Sequence, residues 1–225
     1  MTPVFAAFSN HDAWGLALII GLVAALAIPS MGVGRWDRHA YDDAGAIMQL
    51  FREARTRAIA RGGAVVVSMS ANGTTDRGTF GVWEAVSANV GATGVANRTP
   101  VASCKTPTSW ANIDAGKLTT TNPNVLLVDG VNLNSTIEAD ADIETAAFYY
   151  PDATTPTGKP FTSPGYVCFT PLGRSYIVFT GPPVFDGQLP ALIPLEFRVT
   201  RAGGGNVRSV LVPPNGMARL FSHVQ

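Results

Sequence analysis

The feature that most constrains this chain is an apolar stretch at residues 13–33, which contains no charged side chain before Arg35. Roughly 21 residues at 1.5 Å of helical rise each extend over about 30 Å, the thickness of the hydrocarbon core of a bilayer. A second helical pattern follows almost at once, after Pro29, Gly32 and Gly34. We therefore predict one long helix whose first half crosses a membrane.

The composition indicates a single globular domain behind this helix. A chain of 225 residues has room for one ordinary domain and an appendage. Its 23 glycines and 16 prolines, with many Thr, Asn and Ser after residue 70, favour short strands joined by turns. Lys plus Arg and Asp plus Glu balance at 16 each, with a pI near 6.8. This balance excludes a general basic field that would attract nucleic acid.

The first twelve residues are short and contain no Lys or Arg, so they do not form the basic start of an ordinary secretory signal. They do place Phe8 four residues before Asp12, ahead of an unbroken apolar run that ends in Ile28-Pro29-Ser30. This arrangement resembles the N-terminus of type IV pilins and of the pseudopilins of type II secretion. The resemblance implies a leader at residues 1–7 and an assembly segment at residues 8–33.

The resemblance also implies roles for three residues. In that family a dedicated peptidase cuts before the Phe, here between Ala7 and Phe8, and methylates the new amine. The carboxylate at the fifth mature position, here Asp12, pairs with the amine of a neighbouring subunit. Such a pairing is physically reasonable, because burying a carboxylate costs free energy unless a cation pairs with it. The chain departs from the family pattern in two ways. Its leader ends in Ala instead of Gly and has no basic residue, and the acid at the fifth mature position is Asp instead of Glu.

The orientation of the apolar helix has two interpretations. Arg35 and Arg38 follow the span and, by the distribution of basic residues alone, would place the rest of the chain in the cytoplasm. The resemblance implies the opposite, a bacterial inner-membrane protein that crosses once with its head outside the cytoplasm. On hydrophobicity alone, residues 13–33 fit a generic signal anchor equally well.

Residues 34–62 have an amphipathic helical pattern. One stripe of apolar residues is expected to pack against a sheet, and Gly62-Gly63 is expected to end the helix; the stripe consists of Ile47, Leu50, Phe51, Ala54 and Ala58. The run from Ala54 to Gly62 resembles the Ala-Arg-x-x-Ala-Ile-x-Arg-Gly segment of one subfamily, minor pseudopilin H and the fimbrial U and T minor pilins. In that subfamily the segment precedes a β-rich head.

Residues 63–225 are expected to form this head. A β-branched strand at residues 64–70 and an alternating strand at 79–86 predict a hairpin, and further strands are expected at 124–129, 146–150, 176–179, 195–200 and 209–212. Residues 87 to about 165 have little periodicity, which predicts an expanded loop region. The segment from Asn215 to Leu220 resembles a closing turn in which DNA-uptake members carry paired arginines. This chain has only Arg219 there, with Met217 at the other position, and one cation is a poor phosphate site.

No constellation in the sequence points to catalysis or to a metal. The histidines are far apart in sequence, which does not suggest a metal site. The alternating acids at 138, 140, 142 and 144 lack the glycine-containing loop of a known calcium motif, so they are expected to face solvent. Cys104 and Cys168 either form a disulfide that pins the middle region to the C-terminal strands or remain two thiols. We expect a protein that is not an enzyme and needs no cofactor.

Together these observations predict an α+β pilin fold, a long helix packed on an antiparallel β-rich head. The expected function is that of a minor pilin or pseudopilin that primes or caps a type IV pilus or a type II secretion pseudopilus, near its tip. The implied partners are other minor subunits, the major pilin, the prepilin peptidase and, before assembly, inner-membrane lipid. The alternatives are a DNA-binding minor pilin and a signal-anchored exported protein with a binding site in its middle loops.

Overall fold

Among the residues that the structure describes, the architecture is mainly antiparallel β-sheet with one long helix. The structure is a computed structural model that describes residues 10–72, 76–90, 96–105, 110, 113, 117–119, 123–133, 145–150, 159–160, 164–178, 183–186, 194–200 and 206–224. In this part of the chain the elements are α1 (Asn10–Arg61), β1 (Val65–Asn72), β2 (Asp76–Val90), β3 (Ala96–Pro100), β4 (Val125–Asn132), β5 (Thr145–Tyr150), β6 (Lys159–Pro160), β7 (Gly165–Phe169), β8 (Ser175–Val178), β9 (Leu195–Thr200), β10 (Asn206–Val212) and β11 (Arg219–Val224).

The strands form two sheets, in which every described pairing is antiparallel. The first sheet has the order β3-β2-β1-β7-β8, and β4 also pairs with the long strand β2. The second has the order β11-β10-β9-β5-β6. The predicted hairpin is confirmed, since β1 pairs with β2 in a register that sets Val65 opposite Glu84 and Val67 opposite Val82. The expected strands of the middle and C-terminal regions correspond to β4, β5, β8, β9 and β10.

The C-terminal part of α1 enters a core that both sheets share. The side chains of the predicted apolar stripe, from Ile47 to Ala58, are at most 2% exposed. They lie in one cluster with the residues of β1, β2 and β7 that face the helix and with those of β9 and β10. The rings of Phe80 and Phe197 meet edge to face at 5.1 Å and so join the two sheets directly. The helix ends at Arg61, and Gly62 takes a φ of 66°, the left-handed conformation that glycine adopts at helix ends.

A second apolar cluster covers the other face of the first sheet. Because side chains alternate along a strand, Val66 and Trp83 point away from the helix and pack with Trp110. The indole of Trp110 donates a hydrogen bond to the carbonyl oxygen of Cys104 at 3.0 Å. Cys104 and Cys168 form a disulfide across 64 positions of sequence, which ties this covering segment to β7. The first sheet is therefore buried on both faces.

A buried acid attaches the end of α1 to the first sheet. The side chain of Glu84 is fully buried on the helix-facing side of β2. Its two carboxylate oxygens accept hydrogen bonds from Arg57 Nε at 2.9 Å and from Arg61 Nε at 2.6 Å. Each oxygen thus has its own cationic donor, which a buried carboxylate requires.

The predicted fold class is wrong, and so is the localisation that followed from it. The described chain is mostly antiparallel sheet, and within residues 87–165 it contains β3 and β6, two strands that the sequence pattern did not predict. Among the described residues, no helix is both long and apolar enough to cross a membrane. The prediction of a single-pass inner-membrane anchor is therefore wrong.

Replacing Glu84 by Gln is expected to lower the free energy of unfolding by about 2 kcal/mol, because two arginines lose the charge that they bind. The loss is smaller than for a fully buried group of one acid and two arginines. The side chains of Arg57 and Arg61 are 27% and 45% exposed, so water can hydrate them in the variant. Urea unfolding followed by tryptophan fluorescence measures it. Glu53→Gln, at an exposed acid of the same helix, serves as the control, and equal effects of the two substitutions would contradict the role of Glu84.

The double variant Cys104→Ala/Cys168→Ala is expected to lose up to about 4 kcal/mol of stability. The disulfide closes a loop between cysteines 64 positions apart, and without it the unfolded chain regains conformational entropy. The same unfolding experiment, with and without a reductant, measures it. Reduction should destabilise the wild type and leave the double variant unchanged. A double variant as stable as the oxidised wild type would show that the disulfide does not support the fold.

Candidate functional site

The N-terminal part of α1 presents an apolar surface that the other described residues leave exposed. Six large apolar side chains of this segment are between 59% and 74% exposed; they are Trp14, Leu18, Ile19, Ile20, Leu22 and Val23. These positions are distributed around the helix instead of along one stripe, because consecutive residues differ by about 100°. We call residues 14–25 the arm. A contiguous exposed apolar surface of this kind marks a site of interaction.

One face of the arm is built from small residues. Ala17, Gly21 and Ala25 follow one another at intervals of four, which places them in one row along the helix. Together with Trp14, Leu18 and Leu22 they line a shallow groove of about 590 Å³. A side chain added at Gly21 would meet nothing within 4 Å. The row can therefore receive the ridge of a second helix at short distance.

The predicted processing and assembly residues fall at the edge of the described chain. Ala7 and Phe8 lie outside the described residues. Asp12 lies in the first turn of α1, but its side chain is outside the described part. The alternating acids at residues 138–144 also lie outside it. The roles that the resemblance implies for Ala7, Phe8 and Asp12 stay predictions.

The C-terminal turn and its arginine lie beside the C-terminal part of α1. Residues 213–218 connect β10 to β11, and Arg219 begins β11 with an exposed side chain. Met217, at the position of the second arginine of the DNA-uptake pattern, is 48% exposed. Arg219 lies at the border of a groove of about 500 Å³ together with Pro213, Pro214 and Phe221. No second cation lines this groove among the described residues, so the structure does not bring together a phosphate site there.

Two arginines of α1 hold this turn in place. Arg52 donates a hydrogen bond from Nε to the carbonyl oxygen of Ala218 at 2.8 Å. Arg55 donates to the carbonyl oxygen of Pro214 at 3.3 Å and to that of Gly173 at 2.9 Å, so it joins two turns that are far apart in sequence. Its guanidinium also lies 6.0 Å from the ring centre of Phe169.

Arg55 is the residue of this region that the sequence did not reveal. Arg55 lies outside the apolar stripe of the helical pattern, yet it is only 8% exposed. Burial lowers the pKa of Arg55, because removal from water disfavours the charged form. Backbone carbonyls and an aromatic ring satisfy the cation in place of a carboxylate. The sequence gives only an indirect signal of this burial, which is that Arg55 follows Ala54 of the apolar stripe.

Within the described residues there is no cluster of three His, Cys, Asp or Glu side chains that could hold a metal ion. The fully buried Glu84 is engaged with two arginines, and the buried Ser68 accepts a hydrogen bond from the indole of Trp83 at 2.7 Å. Both groups act in the packing of the first sheet. The geometry that this part of the chain offers is that of two interaction surfaces, the arm and the C-terminal groove.

Comparisons with protein-family models, with curated proteins and with solved structures give no match for this chain. The function therefore has to be inferred from the two surfaces and from the sequence patterns described above.

Replacing Arg55 by Met is expected to cost about 2 kcal/mol of stability, because two partly buried carbonyl oxygens lose a charged donor. It should also release residues 170–174 and 213–218, which that side chain connects. Urea unfolding measures the first effect and amide hydrogen exchange the second. Arg174→Met, at an exposed arginine of the same region, is the control and should change neither. Unchanged exchange in both turns of the Arg55 variant would contradict the connecting role.

Proposed function

We propose that this protein is a structural subunit that acts by assembly, with the arm as its principal contact with other subunits. The observation that carries the proposal is the exposure of six large apolar side chains along residues 14–23, each at least 59% exposed. Burying such side chains contributes about 1.5–3 kcal/mol apiece, so contact with a partner is strongly favoured. The free energy for assembly is therefore available in the arm alone.

The form of the arm supports a helical partner. The row of Ala17, Gly21 and Ala25 allows two helix axes to approach closely, and the flanking leucines would fill the grooves beside it. Large and small positions thus alternate around the helix in the way that tightly packed helix bundles require. A bundle of arms from several subunits would cover each of them on more than one side.

The attachment of α1 supports the same proposal. Beyond the arm, the helix is fixed by the buried stripe from Ala44 to Ala58 and by arginine contacts to both sheets. A force applied along the helix is therefore passed to the β-sheets through hydrogen bonds and packed side chains. Transmission of this kind is what a filament subunit needs when its helix is held by neighbours.

The sequence resemblance gives this assembly its class, that of minor pilins and pseudopilins, which prime or cap a filament. Under this proposal Asp12 pairs with the amine of Phe8 in an adjacent subunit after cleavage behind Ala7. The partners would be other minor subunits and the major pilin.

Substitution of Ile20 by Asp in the arm is expected to remove the chain from assembled filaments, because a charge would be buried at the subunit contact. The measurement is an immunoblot of the filaments sheared from the producing cells. Recovery should fall at least tenfold, while the stability of the isolated protein changes little. The mass of the N-terminal peptide in the same fraction tests whether the chain begins at Phe8.

Ile59→Asp is the matched control, since Ile59 is an isoleucine of the same helix with similar exposure, 53% against 59% for Ile20. It lies outside the arm and should leave recovery unchanged. Normal recovery of the Ile20 variant, or complete absence of the wild type from the sheared fraction, would refute the proposal.

A further inference from the structure

The strand β11 is an edge of the second sheet in the described structure. It ends the second sheet in the described part of the chain, since β10 is the neighbour with which it pairs. Six consecutive pairs, from Asn206 with Val224 to Leu211 with Arg219, continue without a shift of register. Natural edges are commonly protected by a bulge, a proline or an inward charge, and β11 contains no proline and no bulge. About half of its backbone N–H and C=O groups therefore point away from β10, ready to pair.

The outward side chains of this edge form a binding surface. Leu220 packs against the shared core, so its neighbours Arg219 and Phe221 point to the opposite face of the sheet. Both line the groove of about 500 Å³ beside the 213–216 turn, and Phe221 is 48% exposed. Leu211, the cross-strand partner of Arg219, forms the floor of the groove. An apolar pocket and a cation thus lie two residues apart on one strand.

The charge of this surface is uncompensated. Among the described residues Arg219 forms no ion pair, and no acid lines the groove. The acid nearest in register is Glu196, which pairs with Leu211 across β9 and β10. Its carboxylate already binds Arg198 at 2.8 Å and accepts a hydrogen bond from Ser209 at 2.8 Å. Among the described residues no carboxylate complements Arg219, so a carboxylate of another molecule can take that place.

We propose that β11 binds an extended segment of another protein as an additional antiparallel or parallel strand. The segment carries a carboxylate opposite Arg219 and, two positions away, an apolar side chain that contacts Phe221. Backbone hydrogen bonds to the free edge provide the attraction, and the two side-chain positions provide the choice of partner. This surface is separate from the arm, so the inference goes beyond the assembly proposal and does not depend on it.

A second copy of this chain does not meet the requirement through the same edge. The strand reads Arg-Leu-Phe-Ser-His-Val, without an acid, so two copies paired edge to edge would leave both arginines without a carboxylate. The occupant is therefore a different segment, with alternating apolar residues and an acid at its matching position.

The test uses the full chain in a mild detergent and a fluorescein-labelled peptide of the sequence Thr-Asp-Thr-Val-Thr-Val-Thr, whose Asp and Val side chains share one face. Fluorescence anisotropy gives the dissociation constant. Arg219→Glu is expected to weaken binding about tenfold, since an attraction becomes a repulsion. A peptide with Lys in place of Asp should bind the Arg219→Glu protein better than the wild type. Arg174→Glu, at an exposed arginine outside the groove, should stay within about twofold of the wild type.

Two further peptides test the strand geometry. One carries N-methyl groups at its second, fourth and sixth residues, and the other at its third, fifth and seventh. Because successive N–H groups of a strand point to opposite edges, one of the two should lose binding at least tenfold and the other should retain it. Equal effects of the two, absence of binding by the parent peptide up to millimolar concentration, or sedimentation as a dimer that Arg219→Glu disrupts would each overturn the proposal.

Discussion

Four arginines in the last turns of α1 hold the two sheets in one body. Arg57 and Arg61 reach the buried Glu84 of the first sheet, while Arg52 and Arg55 reach the carbonyl oxygens of the turn that leads into β11. The burial of apolar side chains between the helix and the sheets is not directional, so it does not by itself fix the rotation of the helix about its axis. The charged hydrogen bonds do, because each needs its donor within about 3 Å of one particular acceptor. The placement of the arm and of the C-terminal groove follows from this rotation.

Local patterns in the sequence predicted the elements whose cause is local. The helical spacing of Ile47, Leu50 and Phe51 identified a buried stripe, and β-branched residues around a polar turn identified the hairpin of β1 and β2. Helix termination at Gly62 was likewise predictable, since a single glycine supplies the conformation it needs. In each case the residues that determine the structure lie within a few positions of one another.

Contacts between distant segments were not predictable in this way. The burial of Arg55 depends on the carbonyl oxygens of Gly173 and Pro214, more than a hundred positions away. The order of the second sheet, with β5 beside β9, likewise has no local signal. The prediction of a membrane segment depended on the apolar side chains of residues 13–33 alone. Such side chains do not separate a helix in lipid from one that presents them to other proteins. For the candidate sites, the sequence identified Arg219 but not the regular free edge beside it.

The placement of three tryptophans has a consequence for spectroscopy. Trp14 on the arm is 74% exposed, whereas Trp83 and Trp110 are fully buried, each with its indole N–H in a hydrogen bond. An aqueous quencher such as iodide reaches the first and not the other two. The emission of these three tryptophans therefore contains separable contributions from the arm and from the core. Loss of quenching without a change in the core emission would report occupation of the arm in the unlabelled protein, in real time.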